Sequence, residues 1–300
     1  MISVYIPNTS KQSIGGGWTF RRNFIKGAKD KFNIVYNWRD CDIVLIAGVT
    51  MTDRTEMQEA QKTGKKIVLR IDNMPKDSRN RGTAISRMRD FALMADAIIF
   101  QSQWAREYVG SWLINKVQAT AMRGVPTIEE QVGIESFSPQ NYVIHNGVDI
   151  DFFHNTNSNN NRLKNYLVVQ HNSDENKRVY EAFYNFFKRY KDDNEVRLHI
   201  VGRFSPDLVQ YNFDFFNDEK IIYHGIINSP EDMGNIMRLC KFIYFPAFAD
   251  ASPNTLAEAI ACGCTPLLLN DVGGSKEVAE NVSSIQDMAD KYLEVFKKLL

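Results

Sequence analysis

The chain lacks a run of about eighteen consecutive apolar side chains, the length a membrane-spanning helix needs, anywhere in its 300 residues. Met1 to Ile6 read as a strand, with no basic segment leading into an apolar stretch. Neither a spanning helix nor a signal peptide is therefore expected. Cysteine is scarce. The four present (Cys41, Cys240, Cys262, Cys264) show no C-x-x-C spacing and lie among apolar neighbours. This argues against a disulfide framework and for reduced thiols in a cytoplasm. Cys262 and Cys264 read as small buried side chains, not as a ligand pair. The five histidines (His145, His154, His171, His199, His224) are scattered without paired spacing, so no metal site is expected. Gly15-Gly16-Gly17 is not G-x-G-x-x-G, and a dinucleotide fingerprint is absent. Neither sign of charge prevails, with 36 Lys+Arg against 36 Asp+Glu.

That neutrality is uneven along the chain. Residues 1 to 150 hold 20 basic and 15 acidic side chains, whereas residues 151 to 300 hold 16 and 21. The basic half includes Arg21, Arg22, Arg70, Arg79, Arg81, Arg87 and Arg89, a set suited either to an anionic partner or to a solvated face. The excess is modest for a nucleic-acid binder and no aromatic stacking motif interleaves it. Saccharide or lipid-linked partners rank above DNA or RNA. Contact with an anionic membrane surface stays open beside them.

Short β-rich runs alternate with helical patterns throughout, the mark of parallel α/β layers. Strands are expected at 2–7, 33–37, 42–48, 66–72, 96–102 and 141–147, and again at 166–171, 196–202, 220–225, 241–246 and 265–270. In the second half, helices are expected at about 177–191, 230–239, 253–262 and 285–299. The asparagine-rich run from His154 to Asn161 cannot bury a face and favours turns. The chain is accordingly divided into a Rossmann-like domain at 1–153, a linker at 154–164 and a second Rossmann-like domain at 165–300. Two such α/β domains leave a cleft lined by the carboxyl ends of both sheets, where open sheets bind ligands. The stretch from about Gln118 to Gln140 lacks periodicity and reads as a surface excursion.

One segment concentrates the chemistry. The strand ending at Phe245-Pro246 runs into Asp250-Ala251-Ser252-Pro253-Asn254-Thr255-Leu256-Ala257-Glu258, with Gly263 and Pro266 beyond. Ser252 suits an N-cap and Pro253 the first helical position. Gly263 suits the stop. The N–H groups of Asn254 and Thr255 in the first turn, together with the helix dipole, make a seat for phosphate.

DASPNTLAE followed by AIACGCTPLLL resembles the signature of retaining GT-B glycosyltransferases, in particular glycosyltransferase family 4, the glycosyl transferases group 1. VIHNGVD at 143–149, HNSDENKR at 171–178, YHGII at 223–227, the run at 228–246 and DVGGSKEV at 271–278 resemble the same family at the expected spacings. The first half adds Gly15-Gly16-Gly17, RIDNMP at 70–75 and ADAIIFQSQWARE at 95–107. The resemblance implies a GT-B architecture, two Rossmann-like domains facing a cleft, and a donor that is a nucleotide sugar, UDP- or GDP-linked. It further implies that Glu258 grips the ribose hydroxyls, that Asp250 reaches the donor sugar, and that the amides at Asn254 and Thr255 hold the diphosphate. Lys177 would stabilise the leaving group, and the backbone near Ile226 would lie against the base. Asp72 and the glycine loop would serve the acceptor or the donor sugar. The family usually has Glu at position 250 and Arg at position 172, where this chain has Asp250 and Asn172. Arg203 is a candidate to replace that missing charge.

The transfer so implied retains anomeric configuration and requires neither metal nor other cofactor. Lys177 and the helix amides face the charge that develops on the departing diphosphate. Two other readings share the same donor site: a sugar-nucleotide epimerase on the GT-B fold and a non-catalytic sugar-nucleotide binder. A modified nucleic-acid base is the alternative acceptor.

Overall fold

The computed structural model describes residues 1–8, 16–72, 82–114, 139–156, 164–170, 177–204, 213–270 and 273–300. They form two compact units, Met1–Gly147 with Ser283–Leu300, and Val148–Val282. The first unit contains strands β1 (Ile2–Tyr5), β2 (Phe32–Val35), β3 (Ile43–Ile46), β4 (Lys66–Arg70), β5 (Ala97–Phe100) and β6 (Gln140–Val143). Its helices are α1 (Gly16–Gly27), α2 (Arg54–Lys62), α3 (Gly82–Ala92) and α4 (Gln103–Ile114). The six strands pair in parallel in the order β2-β1-β3-β4-β5-β6. The strands are shorter than the β-rich runs of the sequence. The final residues of those runs, among them Gly48, Asp72, Gln101 and Asn146, lie beyond the carboxyl ends of the sheet.

The central strands read as continuous apolar runs because both faces of the sheet are covered. Ile43 and Leu45 of β3 pack into one core with Phe20 and Phe24 of α1, while Val44 and Ile46 pack into the opposite core with Met57 of α2 and Phe91 of α3.

In the second unit the strands are β8 (Asn165–Gln170), β9 (Arg197–Gly202), β10 (Ile221–Gly225), β11 (Phe242–Phe245) and β12 (Thr265–Leu268). The two-residue strands β7 (Gly147–Val148) and β13 (Ser283–Ser284) pair with each other. The helices are α5 (Val179–Tyr190), α6 (Phe213–Phe216), α7 (Pro230–Leu239), α8 (Asn254–Ala261) and α9 (Ser275–Glu280). The five-stranded sheet, again parallel, has the order β10-β9-β8-β11-β12. The direction of winding reverses between β8 and β11, which is where open α/β sheets place ligands.

The last helix, α10 (Ile285–Leu299), does not follow its sequence neighbours. Ile285, Met288, Ala289, Tyr292, Val295 and Phe296 form its buried face. Met288, Tyr292 and Phe296 enter the core that holds Phe20, Phe24 and Phe32. Tyr292 meets Phe24 edge-on at a ring separation of 5.1 Å, and Phe296 lies 5.3 Å from Phe32. Periodicity reveals the apolar stripe but not which sheet buries it, so the helix expected to belong to the second half belongs to the first unit. The second unit also begins earlier than the polar run suggests. Val148 and Phe153 are part of its core, and Arg238 of α7 donates to the Phe152 carbonyl at 2.9 Å. Residues 157–163 of the expected linker, and residues 118–138 of the unassigned stretch, fall outside the described residues. No helix among the described residues is long and apolar enough to cross a membrane.

Candidate donor site

The carboxyl ends of β8 and β11 bring two charged side chains together. Lys177 stands just ahead of α5 and Asp250 in the turn after β11; Nζ of Lys177 donates to Oδ2 of Asp250 at 2.7 Å. The two residues are separated by 73 positions in sequence and meet because β8 and β11 are neighbours in the sheet. Their side chains are partly exposed, at 32% and 21%, so the pair is reachable by a ligand.

The backbone at Asp250 is held as well. Asp250 bridges to Gly273, and its carbonyl accepts the Gly274 N–H at 2.8 Å. Gly273 has φ 122, and a Cβ there would lie 2.8 Å from the Asp250 carbonyl oxygen. Only glycine allows that approach. Ala249, one residue earlier, has φ 54, an uncommon left-handed conformation for an L side chain.

Helix α8 starts at Asn254, one residue later than the expected Ser252 cap places it. Pro253 is the cap and offers no side-chain hydrogen bond, while Ser252 is buried at 7% exposure. Pro253 thus gives the first turn no side-chain cap. Asn254 and Glu258 are four apart and share a face of the helix. Asn254, Thr255 and Glu258 are all partly exposed. Leu256, Ala257 and Ala259 hold the other side of α8 in the core.

Arg203 directly follows β9 and is exposed, and Ile226 follows Gly225 at the end of β10 with 37% exposure. Gly225 has φ 68, which turns the chain at that strand end. Asn172 lies outside the described residues.

Sequence reading passed over Arg178. Its guanidinium donates to Glu181 at 3.1 Å and to Asn270 at 3.2 Å, and stacks 4.7 Å over Phe248. No spacing rule links residues 92 positions apart.

The first unit gathers a separate polar group at its own strand ends. Gly48 lies so close to Asp72 that a Cβ would stand 2.6 Å from Oδ2, and a Cβ on Gly17 would be 3.7 Å from the same oxygen. The structure thus places Gly17 beside Asp72. Gly16 is exposed and has open space around it, and Gly15 is outside the described residues. Arg70, at 1% exposure, donates to the Ala47 carbonyl and to Asn146 Oδ1, both at 3.0 Å, and lies 4.1 Å over the Phe20 ring. Asn146 in turn donates to Gln101 at 2.7 Å, and Gln101 to the Ile71 carbonyl at 2.6 Å. Four strand ends are tied by this chain of bonds. Among the described residues no cluster of three or more His, Cys, Asp or Glu is arranged to hold a metal ion.

Two parallel Rossmann-like sheets in one chain, each with its polar groups at the carboxyl strand ends, define the GT-B fold of glycosyltransferases. Residues 166–298 match the family model described as Glycosyl transferases group 1. Anabaena HepE, solved with UDP and glucose, is similar in structure with a TM-score of 0.64 and 12% identity, over 99% of this chain and 90% of that one. Sucrose-phosphate synthase from Thermosynechococcus elongatus matches with a TM-score of 0.68 and 9% identity, over 99% and 98% of the two chains. The lipopolysaccharide outer core galactosyltransferase WaaB, in its apo form, gives 0.61 and 14% over 100% and 90%. No curated protein matches the chain by sequence.

Proposed function

We propose that this chain is a glycosyltransferase that seats a nucleotide-sugar donor at the strand ends of its second unit and transfers the sugar to a saccharide or lipid-linked acceptor. The observation that carries this reading is the Lys177–Asp250 pair, 2.7 Å apart at the β8/β11 switch point, with α8 beginning four residues after Asp250. A cation and the amides of a helix start suit a diphosphate that gains negative charge as the glycosyl bond breaks. In this reading Lys177 exchanges Asp250 for phosphate when the donor enters, and Asp250 turns to the donor sugar. The amides of Asn254 and Thr255 bind phosphate, Glu258 takes the ribose hydroxyls, and the backbone at Ile226 meets the base. Arg203 flanks the diphosphate, and Asn172, outside the described residues, is assigned to the donor by its place in the sequence alone. Asp72, with Gly15, Gly16 and Gly17, serves the acceptor side. Transfer proceeds with retention and without a metal, since Lys177 and the helix supply the stabilising charge.

HepE holds UDP and glucose and the pneumococcal O-GlcNAc transferase GtfA holds UDP and GlcNAc, which favours a uridine donor here. Structures of TarM with an α-GlcNAc-glycerol ligand and of WaaB support a saccharide-bearing acceptor. All four cysteines are buried and free, in keeping with a reducing, cytoplasmic setting.

A thermal-shift panel of UDP-, GDP-, ADP- and CMP-sugars tests donor binding. At a hundred times Kd, a ligand specific for the native state adds about 2.7 kcal/mol and raises Tm by several degrees. UDP-sugars should do so. Lys177→Ala should then lower turnover about 100-fold, the scale of losing one group that stabilises developing negative charge. Stabilisation by none of the four, or full turnover in Lys177→Ala, would overturn the assignment. Activity surviving EDTA checks metal independence, and a new sugar nucleotide formed without acceptor would show an epimerase instead.

A further inference from the structure

We propose that Arg178 is a positioning residue that keeps Lys177 at the donor seat while the Lys177–Asp250 ion pair is open; this rests on the donor site proposed above.

Among the described residues, contacts in two places join the segment bearing Lys177 to the segment bearing Asp250. One is the ion pair itself. The other is Arg178, whose guanidinium lies 4.7 Å over Phe248, two residues before Asp250. Nη1 of Arg178 also donates to Glu181 Oε1 at 3.1 Å and to Asn270 Oδ1 at 3.2 Å. Asn270 continues the network by donating to Glu181 Oε2 at 3.3 Å and to the Pro246 carbonyl at 2.7 Å. The start of α5, the exit of β11 and the segment after β12 are therefore laced together by one arginine and one asparagine.

The two attachments differ in what a donor does to them. The ion pair consists of the two charges that the ligand must recruit, and it breaks whenever Lys177 turns to phosphate. None of the Arg178 contacts uses a group assigned to the donor. They persist through the exchange and leave Lys177 one residue from a fixed point.

The backbone supports the same reading. Arg178 has φ 47 and ψ 37, a left-handed conformation at the N-cap of α5 that an L side chain rarely adopts. Such a conformation persists where the surroundings hold it, and Arg178 has its side-chain contacts together with the Glu181 N–H donated to its carbonyl at 2.9 Å.

Arg178→Gly tests the role, because glycine adopts the left-handed conformation freely and removes only the side-chain clamp. Arg178→Lys keeps a cation able to lie over Phe248 but not the shared hydrogen bonds to Glu181 and Asn270. Donor KM, kcat and UDP affinity by calorimetry are measured for wild type and both variants. The expected result is a folded Arg178→Gly protein with kcat lowered 10- to 100-fold, UDP affinity and donor KM within about threefold of wild type, and partial recovery of kcat in Arg178→Lys. Asn270→Ala should reproduce much of the loss and add little to Arg178→Gly. Wild-type kcat in Arg178→Gly, or loss of UDP affinity equal to the loss of kcat, overturns the positioning role while leaving the donor site standing. Absence of UDP binding in the wild-type protein removes both.

Discussion

At the scale of single residues, the second unit contains a histidine pair, one ring buried and the other half-buried, whose protonation opposes folding. His199 of β9 and His224 of β10 lie side by side, Nδ1 of one 2.9 Å from Nε2 of the other, with their rings nearly parallel. Burial, aided by the neighbouring imidazole, lowers the His199 pKa to about 4, and burial lowers that of His224 as well. An imidazole whose pKa falls on folding is neutral in the native state at pH values where the unfolded chain already binds a proton. Stability is then full above pH 6.5 and declines as pH falls from there towards 4. For His199 the loss at pH 5 is on the order of 2 kcal/mol. Urea unfolding at pH 7.5 and pH 5 should show this drop, and it should shrink in His199→Gln. An undiminished pH dependence in that variant would rule out the histidine pair as its source. The residues of the proposed donor site were legible for the opposite reason. Lys177, Asp250 and Glu258 stand out because a local motif requires their types, whereas Arg178 and Asn270 belong to no motif and are joined only by the fold.

Helix termini show how local chemistry sets element boundaries. Ser284 accepts the Asp287 N–H at 3.1 Å while the Asp287 carboxylate accepts the Ser284 N–H at 3.2 Å, a capping box that starts α10. The Ser284 hydroxyl and then its backbone N–H hold the Asp287 carboxyl below its ordinary range. This contribution is present at neutral pH and is lost as pH falls through the lowered value. Ser284→Ala should cost about 1 kcal/mol at pH 7, seen as a shifted unfolding midpoint with unchanged m-value. A variant as stable as wild type would show that the cap is replaced by water. Ser229 caps α7 in the same way, accepting the Asp232 N–H at 3.2 Å. Lys220 closes α5 by donating to the carbonyls of Tyr190 and Lys191 at 3.1 and 2.5 Å. Helix α8 has no such side-chain cap, and it is the helix whose start the proposed reading leaves to a phosphate. Ser229 and Ser284 could be read from neighbours in sequence. Lys220 could not, because its acceptors lie about thirty residues away.

For the whole molecule, the decisive feature is the return of the chain at Ser283 to the unit it left at Gly147. Helix α10 buries Ile285, Met288, Tyr292, Val295 and Phe296 there, each of them at 3% exposure or less. Large apolar side chains contribute about 1.5–3 kcal/mol each, so their loss approaches or exceeds the whole stability of an ordinary domain, about 5–15 kcal/mol. A chain ending at Ser284 should therefore leave the first unit unfolded, with rapid proteolysis within residues 1–147 and loss of near-UV dichroism. A cooperative thermal transition for that unit in the truncated chain would contradict the packing described. Sequence by itself determined the α/β class, the alternation of strands and helices, the motif on which the donor-site proposal rests and the apolar stripe of α10. Those properties arise from periodicity and from neighbours a few positions apart. Tertiary structure alone decided that α10 belongs to the first unit, that Arg70, Asn146 and Gln101 together tie four strand ends, and that Lys177 meets Asp250 while Arg178 meets Asn270. Each of these depends on strand order and on which sheet face is left to cover, and neither is encoded within a local window.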